Sequence, residues 1–186
     1  MPTDPDLAPP LRVSEWLNTP VPLTLDALRG QVVMLHAFQM LCPGCVAHGL
    51  PQAAKAHQMF GDAGLRVIGL HTVFEHHRVT GPAALRAFVH EYRLGFPIGV
   101  DQASPDSDIP LTMQALGLRG TPSVVLIDRR GCVRLSHFGQ IDDLVLGVVI
   151  GQLLAEDAGG AGAGAGAVAP RQAGAGGCDD AGCAVS

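Results

Sequence analysis

Apolar positions along the chain gather into short runs separated by Gly, Pro and acidic residues. Val32-Val33-Met34-Leu35-His36-Ala37-Phe38 and Leu65-Arg66-Val67-Ile68-Gly69-Leu70-His71 are almost unbroken runs of strand length, which predicts a pair of buried central strands. A helical pattern follows the first run from Pro43 to Phe60, with Gly61 expected as its C-cap and Pro51 expected to kink it. Thr80-Gly81-Pro82 reads as a helix start, Thr80 capping and Pro82 in the first turn, with Leu85, Phe88, Val89 and Tyr92 at helical spacing. Phe96 to Val100 predicts a short strand, Asp101 to Asp108 a loop and Leu111 to Leu116 a short helix. Ser123–Asp128 and Cys132–Phe138, joined by Arg129-Arg130-Gly131, predict a hairpin. Ile141, Leu144, Val145, Val148 and Val149 mark the expected buried stripe of a last helix. Upstream, the alternation Val21-Pro22-Leu23-Thr24-Leu25 fits an edge strand, where proline is tolerated, and Asp26 to Gly30 a turn.

This order predicts an α/β fold: a central mixed sheet with helices on both faces. Residues 1–10 are expected as a loose arm, 11–155 as the domain, and 156–186 as a flexible Gly/Ala tail ending in Cys178-Asp179-Asp180-Ala181-Gly182-Cys183. Parallel strands open their working loops at their C-terminal ends. The loop after Phe38 and the loop Glu75-His76-His77-Arg78 should therefore share one edge of the sheet.

Apolar residues make up 47% of the chain and charged residues 16%, enough to fill one core. The net charge of −5, with no Lys/Arg cluster, argues against nucleic acid or an anionic membrane as partner. No apolar stretch approaches the length of a membrane span, and the start, Met1-Pro2-Thr3-Asp4, lacks the basic and apolar parts of a secretory signal. A cytoplasmic location is the expectation. Five cysteines are too few for a disulfide scaffold at this length and more in keeping with redox or metal chemistry.

The candidate chemistry lies where the first strand meets its helix, at Cys42-Pro43-Gly44-Cys45. A helix N-terminus favours a thiolate at Cys42, and Cys45, one turn on, lies on the same face and can close a disulfide. The pair reads as a thiol–disulfide exchange centre needing no organic cofactor, whose partner is a disulfide-containing protein or a small thiol or disulfide. Val46 stands where haem attachment requires His. His48 completes a Cys-x-x-Cys-x-x-His run, but a zinc site usually needs a fourth ligand. A soft-metal site made by Cys42, Cys45, Cys178 and Cys183 stays open as an alternative. So does a second dithiol, Cys178 and Cys183, serving the first. Cys132 is expected far from Cys42. His76 and His77 read as a solvated loop or as auxiliary groups at the active edge.

The sequence resembles the thioredoxin-like redoxins, within their TlpA-like and peroxiredoxin-related branch, over roughly Leu11 to Leu154. The resemblance rests on the strand–Cys42-Pro43-Gly44-Cys45–helix, on Gly120-Thr121-Pro122-Ser123, and on the hairpin at Ile127-Asp128-Arg129-Arg130-Gly131. It implies a cis Thr121–Pro122 bond whose backbone, with Pro43 and Gly44, faces the substrate. It also implies a proton relay at His36, where thioredoxins carry a buried acid. Two departures stand out. The dipeptide between the cysteines is Pro-Gly instead of Gly-Pro, and Gln39 replaces the Thr of the peroxidases, which counts against a thiol-dependent peroxidase.

Overall fold

The computed structural model describes residues 7–156 and the backbone of 178–179 and 182–184. A six-stranded mixed sheet runs in the order β1-β4-β3-β2-β6-β7, with helices on both faces as expected. Its centre is β2 (Val32–Phe38), every residue of it buried, flanked by β3 (Leu65–His71) in parallel and β6 (Ser123–Ile127) antiparallel. β4 (Ile98–Asp101) pairs in parallel with β3, and β7 (Val133–Phe138) closes the hairpin with β6. Four helices complete the domain: α1 (Leu50–Phe60), α2 (Pro82–Glu91), α3 (Leu111–Ala115) and α4 (Asp143–Ala155). A short strand, β5 (Gly120–Thr121), is joined by β9 (Gly182–Ala184), which also pairs with β8 (Cys178–Asp179).

Several local expectations are corrected. The edge strand is β1 (Val13–Leu17), antiparallel to β4, and not Val21–Leu25, where Pro20 and Pro22 remove ladder donors. Gly61 is the C-cap of α1 as expected, but it keeps helical angles (φ −56), and the left-handed residue is Gly64 (φ +102). Thr80 does not cap α2; its hydroxyl donates to the His76 carbonyl and Gly81 holds the cap position. The residues α4 buries are Leu146, Ile150 and Leu153, while Leu144 is 80% and Val148 60% exposed. That helix is apolar nearly all round, so periodicity alone does not select its buried face. Its rotation is set by the Asp142 cap, bonded to Leu144 N and Val145 N, and by Asp143, which accepts from Gln52 and Lys55 of α1. The N-terminal arm is held from Leu7 onward: Leu7 bridges Cys132, and Ala8 N donates to Gly131 O. Residues 157–177, expected as flexible tail, lie outside the described residues.

The helix after β2 begins at Pro43 but is wound wide over Cys45–Gly49, where Leu50 N bonds to Cys45 O five residues back. α1 follows with Pro51 in its first turn. Proline lacks the N–H that a tight turn would use and would press on the carbonyl four residues earlier. The wide turn relieves both conflicts at the place where a kink was expected.

Candidate active site

Cys42 occupies the N-cap of this helix. Its N–H donates to Gln39 O at 3.3 Å, closing the corner, and Val46 N donates to Cys42 O at 3.1 Å. The sulfur thus lies over the open amides of the first turn, and Cys45 N–H donates to it at 3.3 Å. Across the cleft, Cys42 Sγ donates to the Thr121 carbonyl at 3.4 Å. The Thr121–Pro122 bond is cis, as the resemblance implied. Both cysteines are thiols and both are buried, Cys42 at 1% exposure. Pro43 is exposed beside them and Gly44 buried.

The two sulfurs are treated differently. Burial pushes the Cys45 thiol up, its hydrogen bond with Cys42 and the charge there add to the effect, and the Gln39 backbone and Thr121 oppose it. An N–H donor and the helix terminus face the Cys42 sulfur, whereas burial disfavours charge on Cys45.

His36 lies beneath the helix. A Cβ on Gly49 would fall 2.5 Å from its Cε1 and 3.2 Å from Pro122 Cβ, so the imidazole sits under the wide turn and close to the proline loop. Neither ring nitrogen has a hydrogen-bond partner, and burial lowers its pKa to about 4, so the ring is neutral at pH 7. His71, whose ring centroid is 5.3 Å from that of Phe38, is lowered to about 4 by burial as well.

The loops after β2 and β3 do meet at one edge: Gln39 Nε2 donates to Glu75 Oε1 at 3.2 Å. His76 and His77 are exposed, and His77 lies 4.0 Å from Asp108. His48 is exposed on the helix. Cys132 lies at the far end of the sheet, beside the β6–β7 turn. Among the described residues, no three His, Cys, Asp or Glu side chains gather as a metal site. The side chains of Cys178 and Cys183 lie outside the described residues, but their backbone is placed: Cys183 is opposite Thr121, and Cys178 opposite Cys183.

Sequence reasoning missed two contributors. Gly49 gives His36 its room, and the only sign of it was a glycine inside a helical segment. The tie from Gln39 to Glu75 joins residues far apart in the chain and left no sign.

The profile of the AhpC/TSA family matches residues 6–136. The chain belongs to the AhpC/TSA family. Solved structures place this family member among thioredoxin-like folds. A thioredoxin-like superfamily protein is 51% identical, with TM-score 0.79 over 81% of this chain and 97% of that one. A thiol-disulfide isomerase from Corynebacterium glutamicum is 48% identical, with TM-score 0.79 over 83% and 100%. Thiol:disulfide interchange protein DsbE of Allochromatium vinosum is 30% identical over 138 residues, 74% of this chain and 68% of that protein. Protein DipZ of Mycobacterium tuberculosis is 33% identical over 151 residues, 79% of this chain. The AhpC/TSA chain spans only 20% of DipZ.

Proposed function

We propose that this redoxin exchanges thiols with disulfides through Cys42 and Cys45. Membership of the thioredoxin-like redoxins makes it a thiol–disulfide oxidoreductase. The assignment of roles is supported above all by the position of Cys42 Sγ, between the Cys45 N–H and the Thr121 carbonyl that precedes the cis proline. The Cys42 thiolate attacks one sulfur of a partner disulfide, and the other partner sulfur leaves as thiolate. Cys45 gives up its proton and attacks the Cys42 sulfur, releasing the partner's second thiolate. Two electrons and two protons pass to the partner, and the sequence reverses when the partner is the dithiol. The proton leaving Cys45 needs an acceptor out of water. His36 lies beneath the turn that begins at Cys45, but a pKa lowered to about 4 makes its imidazole a weak base, so its part is to pass that proton onward and not to hold it. The backbone of Gly120-Thr121-Pro122, which β9 pairs in this structure, is with exposed Pro43 where an extended partner segment pairs once β9 gives up the edge.

Reduction of insulin by dithiothreitol tests the reading. The expected result is catalysis by the native chain and none by Cys42→Ser; equal activity in the two overturns it. The potential of the couple sets its direction, with about −270 mV marking a thioredoxin-like reductant and about −120 mV a DsbA-like oxidant.

A further inference from the structure

We infer that the C-terminal Cys178–Cys183 segment is the in-cis redox partner of the Cys42–Cys45 centre, with Cys183 the sulfur that Cys42 attacks. The inference rests on the exchange reading above and names a partner for it.

β9 adds antiparallel to β5, pairing Gly120 with Ala184 and Thr121 with Cys183. This is the strand addition that an extended substrate makes at an open sheet edge, and here the chain's own C-terminal segment makes it. The register carries the chemistry. Thr121 is the residue whose carbonyl meets Cys42 Sγ, so residue 183 lies at the level of the nucleophile. A slip of one residue would bring Gly182 or Ala184 there instead, and neither carries sulfur. Cys42 and Thr121 are 1% and 0% exposed, as befits an edge already occupied.

The second cysteine is placed to complete a redox pair. β8 sets Cys178 directly opposite Cys183, and Asp179 opposite Gly182. Residues directly opposite in an antiparallel pair have Cα atoms about 4.5–5.5 Å apart, within the roughly 4.4–6.8 Å that a disulfide spans. The segment therefore has the backbone geometry to hold its own disulfide while it lies on β5.

The intervening chain has the length to bring it there. α4 ends beside Arg129, whose Nη2 donates to Leu154 O, and Leu154 lies 3.9 Å from a Cβ placed on Gly64. Both mark the end of the sheet away from Cys42, about one strand length, roughly 23 Å for seven residues, from the redox end, and residues 157–177 lie in sequence between Glu156 and Cys178. A linker matched to its span gives the highest effective concentration, on the order of mM.

The step balances within the chain. The Cys42 thiolate attacks Cys183 of a Cys178–Cys183 disulfide, the S–S bond breaks, and Cys178 leaves as thiolate. Cys45 then attacks Cys42 and releases Cys183. The Cys42–Cys45 dithiol becomes the disulfide, the tail disulfide becomes the dithiol, and two electrons and two protons are transferred.

The test uses two full-length variants: Cys45→Ser/Cys178→Ser, and Cys45→Ser/Cys183→Ser. Each is reduced, given one equivalent of glutathione disulfide, quenched by alkylation and mapped by mass spectrometry. The expected result is a Cys42–Cys183 link in the first that forms independently of protein concentration. It should form about tenfold or more faster than any Cys42–Cys178 link in the second, because the register, not the shared tether, sets residue 183 opposite Thr121. Equal rates, or links that scale with protein concentration, overturn the inference. So does glutathione on Cys42 with no link to the tail, which would leave the exchange reading intact. Cys42 inert to glutathione and tail alike would sink the exchange reading itself.

Discussion

Gly49 and His36 share a space that holds only one side chain: a Cβ at position 49 would lie 2.5 Å from Cε1 and 2.6 Å from Nε2 of the imidazole. The ring is fully buried, with Phe38 at a centroid distance of 6.4 Å, so it has nowhere to retreat. Gly49→Ala is expected to destabilise the fold by about 1–3 kcal/mol, the usual cost of overpacking. In a His36→Ala background the same change should cost much less. Urea midpoints for the four members of this cycle measure the coupling.

The fold should weaken in mild acid. His36 and His71 are held neutral, each with a pKa lowered from 6.5 to about 4 by burial. The unfolded chain binds their protons below about pH 6.5 and the folded chain only near pH 4, so stability falls as pH drops through that window and levels off below it. Each histidine contributes roughly 3 kcal/mol to the loss. Denaturant unfolding between pH 7 and pH 4 checks this, and His71→Leu should flatten the slope.

The cysteines should separate cleanly by role. Cys42→Ser is expected to reduce exchange to background, while Cys45→Ser should keep the first attack and accumulate a mixed disulfide on Cys42. Cys132→Ser should leave turnover unchanged, because that thiol is at the opposite end of the sheet. Turnover of dithiothreitol-driven insulin reduction, with intact mass of the trapped species, distinguishes the three.

Asp101 is predicted to be the costliest single carboxylate to replace. It accepts from Thr112 N at 2.9 Å, Met113 N at 3.0 Å and Thr72 Oγ1 at 3.1 Å, so it caps α3 from β4. Burial keeps its pKa raised even with these donors. Asp101→Asn sets an NH2 against N–H donors and should cost about 1–3 kcal/mol, read as a lowered melting temperature.

The strands β2, β3 and β6 were legible because buried strands write themselves as apolar runs, and β7 because it alternates after a tight turn. The redox corner was legible because Cys42 and Cys45 are neighbours in sequence, and the proline loop because Thr121-Pro122 resembled a familiar pattern. What escaped was set by contacts between distant parts. Asp143 against Gln52 and Lys55 turned α4 away from its expected stripe, and Pro20 and Pro22 moved the edge strand back to Val13–Leu17. The pairing of Thr121 with Cys183 joins a two-residue strand to a three-residue one, too short for any alternation to announce it. His36 was visible as a histidine in a strand, but not its want of a partner.

The loosened winding between Cys45 and Gly49 sets the phase of everything after it. One extra residue in a turn rotates the rest of a helix by about 100°, given roughly 3.6 residues per turn. That offset allows a single helix to aim Cys45 into the redox cleft and still turn Leu50, Ala53 and Ala56 onto the sheet. Deleting one residue there would restore regular winding but swing Lys55 and Gln52 off Asp143, uncoupling α1 from α4 while leaving the Cys42–Cys45 spacing untouched.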